Sequence, residues 1–114
     1  LFDESFYFYG EDLDFCLRAK KNNFKIIYTP HAKAWHNIKK IEKSRMNKFV
    51  LKNLSISYFL IIRKHFPLLI LHGIFLFIFL YTPFRLYQLF LGGKKINNIF
   101  HWINGGIIGL TKNI

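Results

Sequence analysis

Glu11 and Asp12 stand side by side directly after Gly10 and the aromatic residues Phe6, Tyr7, Phe8 and Tyr9. Two carboxylates at the end of an element, where a substrate can reach them, suit general-base work on a hydroxyl, because an ionised carboxylate can take the proton as the oxygen attacks. The element that must present them is a helix. Leu13, Cys16 and Leu17 recur at helical spacing and Asp14 and Arg18 form an i,i+4 pair, so a helix is predicted to begin near Glu11, with Gly10 allowing a tight entry. Asp12 then lies in the first turn, where the partial positive charge of the helix N-terminus favours the ionised carboxylate, and Phe6, Phe8 and Tyr9 are expected to shield it in part. The plain alternative is that Glu11, Asp12 and Asp14 cap a helix and face water. The helix is predicted to end at Asn22 and Asn23, since asparagine accepts the left-handed conformation that terminates helices.

Beyond it, residues 24–28 (Phe-Lys-Ile-Ile-Tyr) read as a short buried strand ended by Thr29-Pro30, and residues 32–36 as a second short strand or extended edge carrying His36. The ordered run is long: Phe2-Asp3-Glu4, then Phe6, Tyr7 and Tyr9, then Glu11-Asp12-x-Asp14-x-Cys16-x-Arg18, then Phe24-Lys25-Ile26-Ile27-Tyr28-x-Pro30-x-Ala32 and Trp35-His36. It resembles the acceptor-side segment of family 2 glycosyltransferases of the GT-A fold, the inverting bacterial and archaeal sugar-transferase type. The resemblance covers the first third of the chain closely and the remainder loosely, and Asn23 stands where that family usually has glycine.

The resemblance implies an α/β fold class, with residues 1–38 forming the C-terminal part of a GT-A catalytic domain. It implies transfer of a sugar from a nucleotide-diphosphate donor to the hydroxyl of a sugar or lipid-linked acceptor, as in cell-surface polysaccharide or glycolipid synthesis. Asp12 would then be the catalytic base and Glu11 would bind and orient the acceptor, while Asp14 and Arg18 would support the helix structurally. His36 would be a metal ligand, helping to hold a divalent cation; a neutral imidazole suits Mn²⁺ well and Mg²⁺ less so. The remaining ligands would come from a missing N-terminal half. The chain opens on Leu1 and holds no Gly-rich phosphate loop and, outside the segment just described, no Asp-x-Asp that could hold a nucleotide diphosphate. The expectation is a C-terminal piece of a longer enzyme, inactive alone.

Charge and hydropathy divide the rest. Seventeen Lys and Arg against six Asp and Glu give a formal net charge of +11, which points to an anionic surface as partner. Residues 39–66 read as a basic amphipathic helix, with Ile41, Met46, Phe49, Val50, Leu54, Ile56 and Phe59 among Lys39, Lys40, Lys43, Arg45, Lys48 and Lys52, lying against anionic membrane lipid. Residues 67–84 read as a hydrophobic membrane segment, since no Lys, Arg, Asp or Glu occurs between Lys64 and Arg85. Pro67 and Pro83 are expected to trim its uninterrupted part to residues 68–82, about 22 Å of helix, which leaves a transmembrane span and an interfacial segment both open. Residues 85–114 read as an interfacial tail weakened as a helix by Gly105, Gly106 and Gly109. The cations before the apolar run place the N-terminal part on the cytoplasmic face of the cell membrane. The single cysteine, Cys16, is expected as a core residue in a reducing compartment. The rival readings are a non-catalytic small basic membrane protein and a nucleic-acid-binding module; the uncharged run argues against nucleic acid as the partner.

Overall fold

The computed structural model describes residues 1–35, 47–92 and 95–113, and among these every regular element is a helix. Helix α1 spans Glu11–Lys21, α2 spans Lys48–His65, α3 spans Ile70–Leu76, α4 spans Thr82–Leu91 and α5 spans Asn98–Thr111. The α/β expectation is therefore overturned: the described chain is a small all-helical assembly and not a fragment of a GT-A sheet-and-helix domain. The physical reason lies at residues 24–28. Their composition suits a strand, but a strand exists only where a neighbour completes its hydrogen-bond ladder, and no described segment does so. Phe24, Ile26, Ile27 and Tyr28 are left exposed on a stretch without regular structure, as is Trp35 in the second expected strand.

Helix α1 ends where the asparagine pair predicts. Asn23 is left-handed at φ 61°, the Phe24 amide donates to Ala19 O at 3.0 Å and the Asn23 amide to Lys20 O at 3.1 Å. These are the two closing bonds of a Schellman stop. Helix α2 begins at Asn47, whose side chain accepts from the amides of Phe49 at 2.7 Å and Val50 at 3.4 Å.

The central packing is α2 against α5. Glycines that lower the helix propensity of α5 are what let it form here. A Cβ on Gly105 would lie 2.2 Å from Lys52 O, and one on Gly109 would lie 2.6 Å from Ile56 O. The two backbones touch through a Gly-x-x-x-Gly stripe, the close approach such spacing permits. Arg63 seals the far end by donating to Gly109 O at 2.9 Å and Lys112 O at 2.7 Å, carbonyls at the C-terminus of α5. Leu51, Phe59, Phe77, Leu89, Ile99 and Trp102 form the core, with Phe77 stacked on Trp102 at 4.9 Å between ring centres. Helix α2 thus buries Leu51 and Phe59 in protein, whatever its remaining faces meet.

From Pro67 to Leu91 the chain is helical throughout, and the expected break at Pro83 does not occur. A 3₁₀ turn at Pro67–Leu69 uses proline at its start, where the missing N–H costs nothing. Residues Phe77–Tyr81 widen to a π turn in which the Thr82 amide and hydroxyl both donate to Phe77 O, the hydroxyl at 2.7 Å. That widening carries the helix past Pro83, whose ring would otherwise strike the carbonyl one turn back. The result is a 25-residue helix long and apolar enough to cross a membrane by length and composition, about 37 Å against a hydrocarbon core of about 30 Å.

Gly105→Ala distinguishes contact from propensity. In an isolated helix the change adds about 0.8–1 kcal/mol of stability, whereas forcing a methyl against Lys52 O is expected to lower the unfolding free energy by about 1 kcal/mol or more. Denaturant unfolding in detergent reads the sign, and a stabilised variant would show that α2 and α5 do not touch there.

Candidate active site

The acid pair is delivered by a turn of two left-handed residues. Tyr9 has φ 67° and Gly10 φ 83°, and α1 starts immediately after them. Positive φ is costly for an aromatic L-residue, so the surroundings must hold it. They do so through α2: the Ser57 hydroxyl lies 2.6 Å from Tyr9 O and 3.3 Å from Phe8 O. Gly10 is required twice, by its φ and by the 3.1 Å that would separate an added Cβ from Ser57 Cβ. Phe6 and Phe8 serve the same docking, and Asp12, expected to be partly shielded by the aromatic run, is exposed. Phe6 is buried beneath the Lys64 ammonium, 5.6 Å from its ring centre, and Phe8 packs on Phe49 at 5.3 Å.

The three acids of α1 have three different environments. Asp12 is exposed, makes no ion pair among the described residues, and accepts only the Leu13 amide at 2.7 Å. Glu11 is half-buried, and its Oε2 is buried with no hydrogen-bond partner among the described residues. Asp14 is wholly buried and saturated. Its Oδ2 takes Arg18 Nε at 2.7 Å, while its Oδ1 takes Lys64 Nζ at 2.8 Å and lies 2.8 Å from His65 Nε2. Lys64 also pairs with Asp3, and Arg18 reaches back to Leu1 O at 2.9 Å.

Burial pushes the Asp14 carboxyl up, but hydrogen bonds from Lys64, His65 and Arg18 outweigh it and hold the group below its ordinary 3.8. Asp3 is held well below the carboxylate range, first by its hydrogen bond from Lys64 and then by the Ser5 amide. Lys64 is pulled down by burial and raised further by Asp14 and Asp3, so it stays charged above its ordinary 10.5. Asp14 is thus spent on the fold. Asp12, one residue from Glu11, is the acid of α1 left exposed to solvent.

Gly10 and Leu13, which bracket the pair, line an apolar groove of about 310 Å³ with Leu54, Ser57 and Tyr58 of α2. A second groove, about 480 Å³, lies between α1 and residues 24–26, where Cys16 lines it as a free thiol with Phe15 and Arg18. His36 falls outside the described residues. Among those described no group of three His, Cys, Asp or Glu is placed to hold a metal ion, so Glu11 and Asp12 do not by themselves make a cation site.

Lys64, His65 and Ser57 are the site residues that local sequence reading passes over. One signal pointed to the first: Lys64 adjoins a long apolar stretch and needs a counter-charge, and the chain offers only six acids, three of them in α1. Comparison of the chain with family models, curated proteins and solved structures finds no match.

The sign of the pH dependence follows from the shifts. The stability supplied by Asp3 and Asp14 is full above pH 3.8 and is lost as pH falls through their depressed folded values. That supplied by Lys64 is full below pH 10.5 and is lost as pH rises through its raised folded value. The melting temperature is therefore expected to hold a plateau between these limits and fall outside them. Asp14→Ala, which leaves Lys64 and Arg18 without their buried partner, is expected to cost about 3–5 kcal/mol within the plateau. Thermal melts of parent and variant across pH check both; an unchanged variant would mean that the cluster carries no stability.

Proposed function

We propose that this chain is the acceptor-side and membrane-bound part of an inverting glycosyltransferase. The observation that carries the reading is the division of labour within one helical turn: Asp14 is buried and fully paired, while Asp12 is exposed, unpaired among the described residues and set in the first turn after a strained entry. A helix cap facing water would be exposed in the same way, so the exposure supplies access for a substrate, and an ionised carboxylate at a helix N-terminus suits a general base. The ordered motif around Glu11-Asp12 supports the choice of sugar transfer over other base chemistry.

In this reading Asp12 accepts the proton of the acceptor hydroxyl as its oxygen bonds to the anomeric carbon of the donor. The bond from that carbon to the diphosphate breaks in the same displacement, the nucleotide diphosphate leaves with the bonding pair, and the anomeric configuration inverts. Glu11 hydrogen-bonds the acceptor sugar and fixes which hydroxyl faces Asp12. The apolar helix from Pro67 to Leu91 holds the site at the membrane surface, and Arg63, Lys64 and the cations preceding them favour the cytoplasmic side, where nucleotide-sugars are supplied. The groove beside Gly10 and Leu13 offers apolar surface for the non-reacting part of an acceptor.

Membranes carrying the intact enzyme, with the donor-binding half that this chain is expected to lack, given nucleotide-sugars radiolabelled in the sugar, test this. Transfer to lipid or polysaccharide is expected, and Asp12→Asn is expected to lower it at least about 10²-fold with the melting temperature unchanged, since Asp12 is exposed. Near-parental transfer by a folded Asp12→Asn protein would return Asp12 to the role of a helix cap and leave a basic membrane protein without this catalysis.

A further inference from the structure

Helix α2 buries three small polar residues besides its apolar ones, and they divide by what they bind. Asn53 Nδ2 donates to Phe49 O at 2.9 Å, and Ser55 Oγ lies 3.1 Å from Leu51 O and 3.0 Å from Lys52 O, so both satisfy themselves on their own helix. Ser57 does not. Its hydroxyl crosses to carbonyls 48 and 49 positions earlier in the chain, with the shorter contact, 2.6 Å, on Tyr9. The residue is only 6% exposed, so water is poorly placed to replace it. Tyr9 and Gly10 are the left-handed pair, and Gly10 O receives the first backbone bond of α1, from the Asp14 amide at 2.8 Å. One hydroxyl therefore holds the strained peptide from which the acid pair is launched.

We infer that Ser57 is a positioning residue for Asp12: by binding Tyr9 O it fixes the left-handed turn and thereby the direction in which α1 presents its first carboxylates. The inference rests on the catalytic reading above for its consequence, but its geometry stands apart from it. A further point of attachment lies at the other end of the same docking, where Lys64 and His65 hold Asp14. Those contacts hold Asp14 at the end of the first turn of α1, and Ser57 holds the entry. Without Ser57 the entry is free to relax toward right-handed backbone, and Asp12 moves while Asp14 stays. Displacements of about 1 Å at a catalytic group cost about 10²-fold in rate, so a partial relaxation shows in turnover.

The test uses the same intact enzyme in its membranes or in detergent. In Ser57→Ala the Asp14 amide is expected to exchange with solvent deuterium about tenfold faster, as loss of one buried hydrogen bond allows, while the amides of α5 keep parental protection. Turnover is expected to fall about tenfold. Ser57→Ala added to Asp12→Asn should lower transfer no further, and Ser57→Thr, which keeps the hydroxyl, should restore both exchange and turnover. Parental exchange and turnover in Ser57→Ala, with transfer abolished in Asp12→Asn, would overturn the inference alone. Faster exchange in Ser57→Ala with parental transfer in Asp12→Asn would overturn the catalytic reading and leave the Ser57 contact standing.

Discussion

The buried carboxylate of Asp14 is the interaction on which the arrangement of this chain depends. A carboxylate removed from water is costly unless its oxygens are satisfied by cations and hydrogen bonds. Both oxygens of Asp14 are, by Arg18 from its own helix and by Lys64 and His65 from the end of α2. Helix α1 shares little backbone contact with α2, so this cluster, with Ser57 and the Asp3–Lys64 pair, is what ties the N-terminal segment to the helical core. The tie is also directional. It fixes α1 at Asp14, late in the first turn, and at its entry; of the intervening acids, Asp12 is exposed and Glu11 keeps one buried oxygen without a hydrogen-bond partner among the described residues.

The core that receives this tie is built by the opposite device, the removal of side chains. Gly105 and Gly109 bring α5 onto the backbone of α2, and Arg63, one residue before Lys64, closes the C-terminus of α5. Successive residues of α2 thus serve two different partners, Arg63 the α5 carbonyls and Lys64 the acids Asp14 and Asp3. Lys112, just past α5, donates to Ser5 O at 2.7 Å and joins the same corner. A change that shifts α5 along α2 would therefore reach the entry of α1 through adjacent residues.

What could be read from the sequence was what local chemistry decides. The i,i+4 pair of Asp14 and Arg18, the start of α1 at Glu11 and its stop at Asn22–Asn23 depend on neighbours within one or two turns, and the residues name them. The failures share a cause. Residues 24–28 have strand composition, but a ladder needs a partner, and composition cannot supply one. Pro83 breaks an ideal α-helix, but a π turn anchored by the Thr82 hydroxyl gives the helix a way past it. Gly105 and Gly109 are poor helix formers in isolation and necessary ones in contact, a distinction that the Gly-x-x-x-Gly spacing carried in view of the sequence. Lys64, His65 and Ser57 reach across about fifty positions, beyond any periodicity.

The distribution of charge gives the acid pair its significance. With seventeen cations and six acids, a carboxylate in this chain has cations in excess to choose from. Asp3 and Asp14 are taken, and their partners come from the far helix and from α1 itself. Glu4, Glu11 and Asp12 form no ion pair among the described residues, and of these only Glu11 and Asp12 sit at a helix N-terminus. Asp12, which is exposed, keeps its carboxylate uncovered, whereas a lysine or arginine partner would occupy it. A carboxylate that no cation covers can still accept a proton, and that is the property a base acting on a hydroxyl requires.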